Sequence, residues 1–192
     1  MPYPQFDRGK LTIRPLARRK NKLFAEEVML DPGRVLREPP DVGDAEPVIR
    51  RVAERIRLAK KAGAPVIIAF GAHAIKNGLA LVMLHLARKG WVTHFATNGA
   101  GSIHDWEFAC LGQTSEDVRA CVAEGSFGLW EETGRTIGLA VATGVLEGRG
   151  YGESVGAVIE SEKLVIPTEK ELRKVMAGAS AENAAAAADL LD

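Results

Sequence analysis

The chain has 192 residues, enough for one domain or for one domain with an appendage. Lys plus Arg equals Asp plus Glu at 25 each, a balance that argues against nucleic acid or an anionic membrane as the main partner, while 46% apolar residues suffice for a core. No apolar run reaches the ~20 residues that span a bilayer. The start Met1-Pro2-Tyr3-Pro4 lacks a signal-peptide core, and Cys110 and Cys121 make neither a disulfide framework nor a zinc site. A cytoplasmic, reducing location follows, with both cysteines expected as buried thiols.

Residues 1–43 read as an irregular arm that docks on the domain or on a neighbouring subunit. Leu11-Thr12-Ile13 is expected as a short strand, the basic tract Arg14 to Lys22 as a surface, and Pro32-Gly33 and Pro39-Pro40 as loop punctuation. Asp44 is the expected N-cap of a helix whose stripe is Val48, Val52, Ile56 and Ala59, ended by Gly63. Pro65 then permits a strand start, and Val66 to Phe70 has the β-branched character of a buried parallel strand. Ala74 to Arg88 is expected as a helix with Ile75, Leu79, Val82, Met83 and Leu86 on one face, stopping at Gly90, and Val92 to Thr97 as the second strand. The connection has the length of a right-handed βαβ crossover, so the two strands are expected to be parallel.

Ser102 and Asp105 match a capping pattern that starts a helix Ile103 to Leu111, and Thr114 and Asp117 repeat it for a helix through Ala123. Trp130 to Leu146 reads as a helix weakened by Gly134, Gly138 and Gly144, glycines whose spacing suits close helix packing. Thr168 and Glu171 cap the last amphipathic helix, and the run Ala184 to Ala188 offers high helix propensity with almost no side chain to pack.

Chemistry is expected in the two small-residue turns. Gly71-Ala72-His73 follows the first strand, and Asn98-Gly99-Ala100-Gly101 follows the second. In open α/β sheets ligands sit beyond the carboxyl ends of the strands. The second turn departs from the G-x-G-x-x-G fingerprint, yet it shares small residues, a free backbone and the positive end of a helix, which suit a phosphate, carboxylate or ribose. His104, read as lying in the first helical turn, would be a neutral ring acting as hydrogen-bond donor or base. His73, Asn98, His104 and Asp105 can then converge, with Asp105 either a cap or a functional carboxylate. His94 reads as structural and His85 as solvated. Adjacent His104 and Asp105 are poorly spaced as metal ligands, so no metal is expected.

The segment Pro65 to Val118 resembles the deoxyhypusine synthase family. The residues that carry the resemblance are Phe70-Gly71-Ala72-His73-Ala74-Ile75-Lys76-Asn77-Gly78-Leu79 and Ala96-Thr97-Asn98-Gly99-Ala100-Gly101-Ser102-Ile103-His104-Asp105. By that resemblance Ala72 and His73 stand where the family has serine and asparagine facing NAD. Thr97 to Gly101 take the place of its second turn, His104 that of a glutamate near the cofactor, and Asp105 matches an aspartate. The resemblance implies an α/β, Rossmann-like parallel sheet with helices on both faces, an NAD cofactor, a homo-oligomer, and transfer of an aminobutyl group from a polyamine through a lysine imine. Along the chain the organisation is read as an arm over 1–43, a Rossmann-like α/β domain over 44–165 and a C-terminal helical tail over 166–192. The family's lysine motif has no counterpart after Gly125; Lys163, Lys170 and Lys174 sit in charged contexts without its glycines. Three functions stay open: an NAD-binding transferase acting on an amine, a non-catalytic nucleotide-binding or assembly module, and a hydrolase using His104 and Asp105.

Overall fold

The computed structural model describes residues 3–5, 7–37, 40–161, 163–178 and 180–191. Pro39 and the first two residues of Met1-Pro2-Tyr3-Pro4, read above from sequence, lie outside the described residues, as does Asp192. In chain order the elements are β1 (Asn21–Phe24), α1 (Ala25–Val28), α2 (Pro32–Arg37), α3 (Glu46–Lys61), β2 (Ile67–Ala69), α4 (Ala72–Lys76), α5 (Ala80–Arg88), β3 (His94–Ala96), α6 (Gly99–Leu111), β4 (Gln113–Glu116), α7 (Val118–Ala123), α8 (Glu131–Leu146), α9 (Tyr151–Ser161), α10 (Glu169–Gly178) and α11 (Ala181–Asp189). The class is mixed α/β with helix predominating. Strands pair as β1 with β4 and β2 with β3. The chain divides into two compact units, one formed by Leu23–Phe108 with Gly112–Thr114, the other by the residues up to Lys22, Ala109–Leu111 and Ser115 onward.

In the first unit β2 and β3 are parallel, with Ile67 opposite His94, Ile68 opposite Phe95 and Ala69 opposite Ala96. Both strands are shorter than the runs Val66 to Phe70 and Val92 to Thr97. The expected buried strand is also not buried throughout. Ile67 is 60% exposed, because among the described residues no third strand pairs beside it. Helix α3 follows a 3-10 turn at Gly43–Ala45 and has Ala45, not Asp44, at its N-cap. Its stripe is only half covered, with Val48 and Val52 each 51% exposed.

The helix expected over Ala74 to Arg88 is two helices. Gly78 breaks it with φ +86°, a left-handed conformation that favours glycine. The break is imposed from outside the helix. A Cβ on Gly78 would overlap the backbone carbonyl of Val28, and Leu30 N–H donates to Gly78 O at 3.0 Å. The chain before α2 therefore runs against this point, in a stretch expected to be irregular. Ile75, Val92, Trp106 and Phe108 are buried, and Phe70 meets Phe95 edge-on at 6.2 Å.

In the second unit α8 packs on α9 and α11, and α10 on α11. Leu172, Ala140, Val155, Ala186 and Ala187 are buried. The alanine run is thus not idle: Ala187 is fully buried, and its single methyl group is small enough to let α11 lie close to its neighbours. Close packing also explains one glycine of α8. A Cβ on Gly144 would overlap the Ser154 side chain of α9, whereas one on Gly134 or Gly138 would meet nothing. Thr168 and Glu171 form the expected capping box at the start of α10, with Thr168 N–H donating to Glu171 Oε2 at 2.9 Å and Glu171 N–H to Thr168 Oγ1 at 3.4 Å. That helix is not the last, since Ser180 caps α11.

The tract Arg14 to Lys22 is tied down within this unit. Arg14 exchanges backbone hydrogen bonds with Leu129 and Glu131, and Lys22 pairs with Asp117 at 3.0 Å. Leu11-Thr12-Ile13 forms no strand; Arg14 instead makes a single bridge to Trp130. The cysteines are not both buried: Cys110 is exposed and Cys121 part-exposed, and neither forms a disulfide. Gly78→Ala should lower stability by about 2 kcal/mol or more, since it meets both a wrong φ and fixed backbone. Gly134→Ala, on an open helix surface, should be neutral or stabilising in the same denaturant titration.

Candidate functional site

The parallel register of β2 and β3 sets both small-residue turns at one end of the strand pair. Gly71 caps α4 in an extended conformation, and Asn98 caps α6, its side chain accepting from Gly101 N–H at 3.2 Å. A Cβ built on Gly71 would stand 3.7 Å from Asn98 Nδ2, so the turns are neighbours. Gly101 is the tightest position of the second turn. Any Cβ there would overlap Thr97 Oγ1, so glycine is what allows α6 to start so close to the end of β3.

The cap differs from the one expected. Asn98, not Ser102, begins α6, and Ser102 lies inside the helix, its hydroxyl donating to Gly99 O at 2.9 Å. His104 accordingly sits in the second turn, where the helix dipole has faded, so the dipole argument for a neutral ring does not apply. The next capping pattern shifts similarly. Thr114 is a strand residue of β4, and Asp117 alone caps α7, accepting from Ala120 N–H at 2.9 Å.

Beside the turns lies a cavity of about 230 Å³. Phe70, Ile75, Met83, Leu84 and Phe95 form its apolar walls, while Thr97, Gly101, Ser102 and Asp105 bring the polar groups. Of the site residues read from sequence, Thr97, Gly101 and Asp105 border the cavity. Gly71, Ala72, His73, Asn98, Gly99, Ala100 and His104 do not. His73 is exposed on α4. Asp105 remains reachable by solvent, yet its apolar surroundings push its carboxyl pKa upward from the ordinary 3.8 by desolvation.

His104 faces a different set of groups. Its Nδ1 lies 2.7 Å from Thr114 Oγ1, and the Thr114 hydroxyl donates to Glu107 Oε2. A hydroxyl has one proton. Given to Glu107, it leaves Thr114 as acceptor and His104 Nδ1 as the protonated nitrogen. Glu107 and Thr114 are fully buried, so this bond gives the Glu107 side chain a partner out of reach of water. The sequence signal for it was the spacing of His104 and Glu107, which puts them on one helix face. Its third member comes from the next strand. Among the described residues no three His, Cys, Asp or Glu side chains gather as a metal site requires, and no helix is long and apolar enough to cross a membrane.

Comparison with protein-family models, with curated proteins and with solved structures finds no match to this chain.

Two outcomes test these environments. Thr114→Val keeps the shape but removes the hydroxyl shared by His104 and Glu107, and should cost about 1–3 kcal/mol in chemical denaturation. For Asp105 the folded state holds its proton more tightly than the unfolded state does. Its contribution is therefore fully favourable below pH 3.8 and is lost as pH rises through the higher folded value. Asp105→Asn should flatten the stability profile across that window and leave Tm at neutral pH equal or higher.

Proposed function

We propose that this chain is a deoxyhypusine-synthase-like nucleotide-binding protein with NAD as its cofactor and an amine as its second ligand. In this reading β2, α4, α5, β3 and α6 are the nucleotide-binding part of a Rossmann-like parallel sheet. The observation that carries it is the pair of adjacent turns at one end of two parallel strands, with a cavity beside them.

The residues fit the cofactor by division of labour. The first amides of a helix lack intrahelical partners. Asn98 engages that of Gly101, which leaves Gly99 and Ala100 N–H for a phosphate. The cavity suits one aromatic ring rather than a whole dinucleotide, so the remainder would lie along Gly71, Ala72 and His73, where the half-buried turn backbone and the exposed His73 ring can meet a ribose. NAD, when bound, supplies a hydride acceptor. Asp105, in its ionised form among apolar walls, would be matched to a cationic amine, whose charge would offset its desolvation.

One observation favours the non-catalytic form of this reading: among the described residues no lysine borders the cavity to form an imine. The hydrolase alternative has less support, because His104 faces Thr114 and Glu107 and does not border the cavity with Asp105.

Calorimetric titration with NAD, with and without spermidine, tests the proposal. Asn98→Asp keeps a good helix cap but sets a negative charge where phosphate would lie. Saturable NAD binding that weakens about tenfold or more in Asn98→Asp, at unchanged Tm, is the expected result. A folded parent that binds no NAD overturns it. Turnover of spermidine decides between transferase and binding module.

A further inference from the structure

The helical unit holds a second cavity, of about 360 Å³, between α8, α9 and the segment 163–165 that follows α9. That size lies within the range of small-molecule sites. Thr143 of α8 lines it and is only 8% exposed, and its Oγ1 has no hydrogen-bond partner among the described residues. A threonine within a helix can ordinarily return its hydroxyl to the preceding turn; this one does not. A buried hydroxyl without a partner is destabilising, a cost that a ligand group would remove.

The other polar groups of the cavity define that ligand. Ser154, also buried, lines the cavity and donates its proton to Gly150 O at 2.8 Å, which leaves its oxygen lone pairs to accept. Thr143 can donate. One acceptor and one donor in the interior match the NH₂ and C=O of a carboxamide. Lys163 and Glu160, both exposed, bring one charge of each sign, and neither forms an ion pair among the described residues. Glu147 and Arg149, paired at 3.1 Å, add a neutralised couple. Ala140, Ala157 and Val158 supply apolar wall for a short methylene stem. Val165, 75% exposed, would be covered by an occupant.

We infer that this cavity binds a free α-amino acid with a carboxamide side chain, asparagine or glutamine. Lys163 takes the α-carboxylate, Glu160 takes the α-ammonium, and Thr143 and Ser154 hold the amide. The site is independent of the nucleotide reading, since every residue it uses belongs to the other unit.

Calorimetric titration of the full chain with L-glutamine, L-asparagine and L-leucine tests it, alongside Thr143→Val and Lys163→Ala. Saturable binding of an amide amino acid is expected, with leucine about tenfold weaker, the worth of the lost hydrogen bond. Thr143→Val should weaken the amide ligand by about tenfold, leave leucine unchanged and not lower the Tm of the free protein. Lys163→Ala, at an exposed position, should weaken all three. Failure of both amide amino acids to bind the folded parent, or Thr143→Val binding glutamine as the parent does, overturns the assignment.

Discussion

Two parallel strands cannot be joined by a tight turn, because the chain must return to the end at which it started. That constraint organises the unit that carries β2 and β3. The return path is α4 and α5, and the parallel register brings Gly71 and Asn98 to the same end. The rest of the candidate site depends on this arrangement. With antiparallel strands the two turns would lie at opposite ends, and the cavity between Phe70, Phe95 and Asp105 would have no counterpart. Gly101 completes the arrangement, since its missing Cβ makes room for Thr97 as α6 begins.

Burial then assigns different roles to neighbouring residues on α6. Asp105 faces a cavity and stays in touch with solvent, and desolvation by its apolar neighbours raises its carboxyl pKa. His104 and Glu107 meet Thr114, and their hydrogen bonds hold the start of β4 against α6. Adjacent residues on a helix point about 100° apart. This is why a histidine and an aspartate side by side in sequence meet different surroundings.

The helical unit solves its packing with small residues. Gly144 and Ser154 bring α8 and α9 together, and Ala186 and Ala187 let α11 approach. Close approach gains dispersion contact at little side-chain entropy cost. Thr143 lies buried beside a cavity, and its hydroxyl has no partner among the described residues, a departure from the rule that buried polar groups are satisfied.

Local signals were legible in the sequence wherever the deciding interaction is itself local. Periodicity located α3, the box at Thr168 and Glu171 marked the start of α10, and the glycine turns after two apolar runs marked the ends of β2 and β3. Asn98 was legible as a turn residue but not as the cap of α6, because Ser102 and Asp105 present an equally good pattern one turn later. Sequence did not choose between them; the structure did, with Asn98 accepting from Gly101 N–H. The same holds for the break at Gly78, which depends on Val28 some fifty residues earlier, for the burial of Ala187, and for the partners of His104. Sequence by itself determined the two turns and most helices, since capping and periodicity act within a few residues. The tertiary structure decided which side chains border the cavity and which bond to one another, since those contacts join residues that the chain keeps far apart.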